Sequence, residues 1–196
     1  MKYVEGVYVD HKDGRPAAPG RPPRHGYALP HPQLTISAVE RQRSPSRIYG
    51  TAPDEVELDG EAVWEISQDE HDAAVDLLRK RRADARLRRL AQIRYEREVG
   101  GVKIDGRALH TDRDSQGKLA GSRAKAKEGR APSAWKLDGG DWWDVEGAEE
   151  FVAVADEVFE YIDACFKHER DLAEQIINNE NPDLEEGWPE RERSTS

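Results

Sequence analysis

Thr111, Asp112, Arg113, Asp114, Ser115 and Gln116 bring two hydroxyls, two carboxylates, a guanidinium and an amide into six consecutive positions. Two kinds of chemistry suit such a cluster. Free backbone N–H groups at a helix start attract anions, so the segment can be imagined as a polar binding site. The same residue types also close a helix: Thr111 and Asp112 are good N-caps, and Asp114 stands at the capping-box distance from Thr111. Capping accounts for these residues without a ligand, and it is the reading adopted.

Other reactive residue types reduce to structure in the same way. Cys165 is the single cysteine, which excludes an intrachain disulfide and a multi-cysteine metal site. It lies on an apolar helical stripe with no basic residue on that face to lower its pKa, so it reads as core. His25 and His31 stand among prolines, and neither HExxH spacing nor a Cys/His cluster supplies further ligands. Gly100-Gly101-Val102-Lys103 lacks the first glycine and the Ser/Thr of a phosphate-cradling loop and reads as a helix stop. No Glu/Asp pair stands out as a hydrolase's acid and base. The expectation is no catalytic residue, no metal and no cofactor.

Two features suit protein contacts better. Trp142 and Trp143 are adjacent in a strand pattern and therefore point to opposite faces; one is core, and Trp142 is the exposed contact. Arg79, Arg82, Arg86 and Arg89 belong to a basic run that spreads around most of its helix and has no interleaved aromatic. The last helix carries Glu149, Glu150, Asp156, Glu157, Glu160, Asp163, Glu169 and Asp171, a ready counterpart for these arginines. With a formal net charge of -10, helix pairing or a protein interface is favoured over nucleic acid.

The elements that must position these residues follow from periodicity and breakers. Residues 11–33 carry six prolines and three glycines, read as an extended arm. Within the N-terminal arm of residues 1–69, Tyr27, Leu29, Pro30, Pro32 and Leu34 are the expected partner contacts, because a stiff extended chain docks with little entropy loss. Residues 34–60 allow one or two edge strands, and Val63–Ile66 a short one. Ser67 with Glu70 offers a capping box for a helix running from about Glu70 to Val99. Asp105-Gly106 is a two-residue hairpin turn between Val102–Ile104 and Arg107–Leu109. A shorter helix to about Lys127 precedes a second hairpin around Asp138-Gly139-Gly140, with Trp135, Leu137, Trp143 and Val145 on one face. The last helix, about Ala148 to Asn178, has Phe151, Ala155, Val158, Ile162, Cys165, Leu172 and Ile176 at spacings of three and four.

The fold class expected is therefore α+β: two long helices, a small antiparallel sheet of two hairpins, one short helix, and a Pro-rich N-terminal arm. The expected domains are the arm with short strands at 1–69, the helical domain at 70–178 and a flexible acidic tail at 179–196. The 196 residues contain no signal-peptide core and no apolar run of membrane-spanning length, so no membrane is expected.

Residues 94–119 resemble the signature of a domain family of unknown function from tailed-bacteriophage tail proteins. Tyr95, Glu96, Glu98, Gly100 and Gly101 end its helix, and Thr111, Asp112, Arg113, Ser115, Gln116, Lys118 and Leu119 follow its hairpin. Trp135-Lys136, Gly139-Gly140 and Ala164-Cys165-Phe166 fit its continuation, so the resemblance covers about residues 70–178. Residues 63–71, around Trp64-Glu65-Ile66-Ser67, resemble a passage of tail-fibre assembly proteins. The resemblance implies a structural component of a tail tip, baseplate or tail-fibre apparatus. It would be made in the host cytoplasm, carried in the virion tail and attached to other tail proteins through the arm, with homo-oligomerisation as a further role for the domain. The alternative is a tail-fibre assembly chaperone absent from the mature virion.

Overall fold

A computed structural model of the chain describes residues 1–7, 35–40, 47–54 and 63–195, which fall into two units, Met1–Asp84 and Ala85–Ser196. In the first unit four strands, β1 (Lys2–Val7), β2 (Thr35–Glu40), β3 (Arg47–Ala52) and β4 (Val63–Ile66), form an antiparallel sheet in the order β2-β3-β1-β4. Val4, Ile48, Tyr49 and Ala52 are buried, while Glu5 pairs with Arg47. The register slips between Ile36 and Ala38, where β2 passes over Gly50. A Cβ at Gly50 would lie 2.3 Å from the Thr35 carbonyl oxygen, so only glycine admits this approach.

Helix α1 (Gln68–Val99) begins with the expected capping box. The Glu70 amide donates to Ser67 Oγ at 3.2 Å, and the Ser67 amide donates back to Glu70 Oε2 at 3.0 Å. His71 and Val75, one turn apart, are buried in the first unit, with the His71 ring 5.0 Å from that of Tyr3.

The second unit is built on α3 (Ala148–Ile177), whose stripe of Phe151, Val154, Ala155, Val158, Tyr161, Ile162, Cys165, Leu172 and Ile176 is buried throughout. Leu90 and Ile93 of α1 and Leu119 of helix α2 (Arg113–Lys127) are buried in the same unit. Burying each such side chain contributes roughly 1.5–3 kcal/mol. Strands β5 (Val102–Ile104) and β6 (Arg107–Leu109) pair as expected, with positive φ at both Asp105 and Gly106, as a two-residue hairpin turn requires. Val102, Ile104 and Leu109 are all buried on one side. Strands β7 (Ala134–Lys136) and β8 (Trp142–Asp144) make a separate sheet, in which Trp135 and Trp143 pair and both rings pack on Phe151, at 5.2 and 5.5 Å between centroids.

The α+β class and its three helices agree with the sequence reading, and three details differ. Among the described residues of 1–66, four strands pair in one sheet where short edge strands beside an arm were expected. Each is half a surface alone: β1 meets β3 across more than forty residues of chain, a pairing that local pattern does not show. The Pro-rich stretch, with Tyr27, Leu29, Pro30, Pro32, Leu34, His25 and His31, lies outside the described residues. The two hairpins do not share one sheet; the Asp138 amide links them by donating to the Ala108 carbonyl at 2.8 Å.

The third difference concerns residues 179–195, expected as a flexible tail. α3 ends in a Schellman motif in which Asn179, at φ 63°, donates to Ile176 and Glu180 to Gln175. The chain then turns back over the unit, buries Trp188, and adds β9 (Glu192–Arg193) parallel to β5. Backbone bonding and one indole hold a segment whose composition alone suggests no structure.

Phe151 sits beneath both hairpin tryptophans and is fully buried, so Phe151→Ala should cost about 3–5 kcal/mol. Urea unfolding followed by tryptophan fluorescence measures this; a loss below about 1 kcal/mol would show that the hairpin does not depend on this ring.

Candidate functional site

Among the described residues, two buried polar groups, Glu98 and Thr111, lie where α1 ends and α2 begins. Glu98 in the last turn of α1 is 1% exposed, and a carboxylate so placed must be met by donors. Arg94, one turn earlier, pairs with it and also reaches Glu169 of α3 at 3.0 Å, with its guanidinium 4.5 Å from the Phe166 ring centre. Arg113 Nε stands 3.4 Å from Glu98 Oε1. Gln116 donates its side-chain N–H groups to Glu98 at 3.2 Å and to the Thr111 carbonyl at 2.7 Å.

Thr111, expected as a cap, does something else. Its side chain is buried and Oγ1 accepts the Gly101 amide at 2.8 Å, tying the residue after the hairpin to the residue before it. Asp112 is the N-cap, accepting from the amides of Asp114 and Ser115 at 3.0 and 3.1 Å and from the Ser115 hydroxyl at 2.6 Å. These bonds, the Ser115 hydroxyl first, hold the Asp112 carboxyl below its ordinary value of 3.8. The signature residues Glu98, Gly101, Thr111, Asp112, Arg113, Ser115 and Gln116 thus form one bonded cluster around the hairpin. Lys118 pairs with Asp114, Leu119 is buried, and Tyr95 is left exposed.

The arrangement fixes geometry: the Ser115 hydroxyl donates to the carboxylate that also accepts the helix amides of Asp114 and Ser115. Cys165 is buried, and desolvation pushes its thiol pKa up, which suits core packing and not reactivity. Burial likewise raises Tyr161, whose hydroxyl donates to the Arg97 carbonyl at 2.9 Å and so pins α3 to the end of α1. Among the described residues no group of three or more His, Cys, Asp or Glu could hold a metal ion, and no helix is long and apolar enough to cross a membrane.

The residues expected to make contacts are now placed. Trp142 is 65% exposed, opposite Lys136 in the ladder, while its neighbour Trp143 is buried. Of the basic row, Arg79 pairs with Asp76 at 3.3 Å and Arg82 is exposed. Arg86 and Arg89 do not meet the acidic last helix as expected. Arg86 donates to Asn181 Oδ1 at 2.6 Å and to the Pro182 carbonyl, and Arg89 pairs with Glu185 at 2.9 Å. Their position in the last turns before Glu98 faces them toward the returning chain.

The carboxylates of α3 are met by other arginines. Besides Arg94 with Glu169, Arg107 of β6 pairs with Glu150 at 2.6 Å while lying 4.8 Å from the Trp143 ring centre. Arg123 of α2 pairs with Asp156, and Arg193 of β9 with Glu157 at 3.1 Å. Sequence reasoning named Glu98 only as part of the signature and missed its buried role, together with Arg94 and the strand carrying Arg193. The available signals were the coincidence of Glu98, Arg113 and Gln116 in one short signature, and an isolated Trp188 followed by arginines at alternate positions.

Glu98→Ala should leave Arg94, Arg113 and Gln116 without their acceptor and cost about 3–5 kcal/mol, measured as a lower urea midpoint; retention of the parent midpoint would remove Glu98 from this role. The Asp112 cap has a sign that pH can check. Its folded pKa is depressed, so its contribution is complete above the ordinary carboxylate value and is lost as pH falls through the lower folded one. Asp112→Asn keeps a capping oxygen without the titration. It should match the parent near pH 7 and lose stability less steeply below pH about 4. Identical acid profiles of the two proteins would show that this cap does not titrate as described.

With this geometry in place, a family model described as "Domain of unknown function (DUF4376)" matches residues 81–187. No curated protein and no solved structure matches the chain.

Proposed function

The chain belongs to the family of domain of unknown function DUF4376, and on that premise we propose that it is a structural component of the tail tip, baseplate or tail-fibre apparatus of a tailed bacteriophage. One observation carries this reading: the polar residues of the signature that resembles phage-tail domains are bonded to one another around Glu98. A signature spent on holding two helices and a hairpin in register is what a scaffold requires, whereas an enzyme's would converge on a substrate position. The DUF4376 unit braces, and the Pro-rich stretch at residues 11–33 attaches to other tail proteins, with Trp142 as an exposed aromatic for a second contact.

The competing reading is an assembly chaperone that binds tail-fibre chains and leaves. It is favoured by the passage Trp64-Glu65-Ile66-Ser67, which here is the end of β4 and the cap of α1.

Quantitative mass spectrometry of purified particles separates the two. A fixed small stoichiometry relative to the tail-tube protein is expected for a structural part; absence from particles together with abundance in the lysate would leave only the chaperone. Replacing residues 11–33 by a Gly/Ser linker of equal length should abolish co-purification with other tail proteins, since the four strands begin and end outside that stretch. Unchanged co-purification would dismiss the arm as the attachment device.

A further inference from the structure

We propose that residues 190–195 form an acid-opened strap: ionised carboxylates hold it across the outer edge of β5, and protonating them frees it while the core stays folded. The inference stands apart from the phage-tail reading. After Pro189 the chain runs Glu190-Arg191-Glu192-Arg193-Ser194-Thr195-Ser196, without one apolar side chain, so nothing hydrophobic fastens it. Backbone ties it to β5 through the Lys103 amide, which donates to the Arg191 carbonyl at 2.6 Å, and the Asp105 amide, which donates to the Arg193 carbonyl at 3.0 Å. Two such bonds do not offset the entropy of fixing the segment. The rest of the hold falls on carboxylates. Arg193 Nε donates to Glu157 at 3.1 Å and the same guanidinium lies 3.8 Å from Glu160. Lys103 meets Glu192 at 2.8 Å, and Asp105 accepts the Thr195 amide at 3.1 Å and hydroxyl at 2.6 Å.

The other groups that face the strap keep their state in acid or bond equally well in either. Arg191 donates to the Glu96 carbonyl at 3.0 Å and stands near Tyr161 and Cys165, both held neutral by burial. Arg107, 3.8 Å from Asp105 and 2.6 Å from Glu150, stays charged. His168 bonds the Glu186 carbonyl through Nε2 at 2.9 Å, as a donor whether neutral or protonated, and packs on the buried Trp188. Opening therefore starts beyond Pro189 and leaves the indole seated. Asp105 is the clasp with a readable sign. The Thr195 hydroxyl above all, opposed by desolvation and aided by the Thr195 amide and Arg107, holds its carboxyl below the ordinary 3.8. Its grip is complete above that ordinary value and is lost as pH falls through the lower folded one. The apolar stripe of α3 has no such charge to lose, so the strap departs first and uncovers the β5 edge.

Hydrogen exchange on the full-length chain, expressed as protection so that the intrinsic pH dependence cancels, tests this. The Lys103 and Asp105 amides should be protected at pH about 6 and unprotected by pH about 3, where the Val158 and Ile162 amides of α3 are still protected. Simultaneous loss at all these positions, or protection kept by Lys103 and Asp105 at the lower pH, would overturn the strap. Asp105→Asn retains an accepting oxygen without the titration and should carry protection to lower pH; a profile identical to the parent's would remove Asp105 as the clasp. The double variant Arg193→Ala, Thr195→Ala should leave both amides unprotected already at pH about 6 with α3 unchanged. Persisting protection there would mean that backbone bonds alone suffice, and the proposal would fall.

Discussion

A carboxylate removed from water is tolerated only where donors surround it, and in the second unit that demand falls on Glu98. Its partners come from two places: Arg94 one turn back on the same helix, and the first turn of α2 through Arg113 and Gln116. Satisfying it therefore sets the angle at which α2 leaves the hairpin, and the hairpin's own reach is set by Thr111 holding Gly101. The core on α3 then closes over a frame whose corners are already determined. Hydrophobic area supplies most of the driving force, but the charged cluster selects which packing of α1, hairpin and α2 that force can reach.

Much of this was legible in the sequence where the cause is local. Ser67 and Glu70 announce a helix start, Asp105-Gly106 a tight hairpin, and the spacing from Phe151 to Ile176 a buried stripe; each is settled by neighbours within a few residues. Trp142 and Trp143 separate into exposed and buried because alternation along a strand needs no knowledge of the partner. Capping of α2 was legible as a feature, with Thr111 and Asp112 both eligible, and the structure gives the role to Asp112. Two adjacent residues compete for the cap, and the contact to Gly101 that decides between them spans ten residues.

What stayed hidden depends on distant partners. β1 is a polar-looking hexapeptide until β3 and β4 flank it. Residues 188–195 look like solvent-exposed chain because their stability comes from amides of β5 and from Glu157 on another element. Arg86 and Arg89 paired with the returning chain for the same reason: opposite charge identifies eligible partners, while the turn at Asn178-Asn179 decides which of them comes within reach.

The four arginines that meet α3 have one further consequence. Arg94, Arg107, Arg123 and Arg193 come from α1, β6, α2 and β9, and each meets a different carboxylate, Glu169, Glu150, Asp156 and Glu157. An element laid on this helix without its arginine leaves one of these carboxylates without that partner. Each arginine thus acts as an address label read by one station along α3.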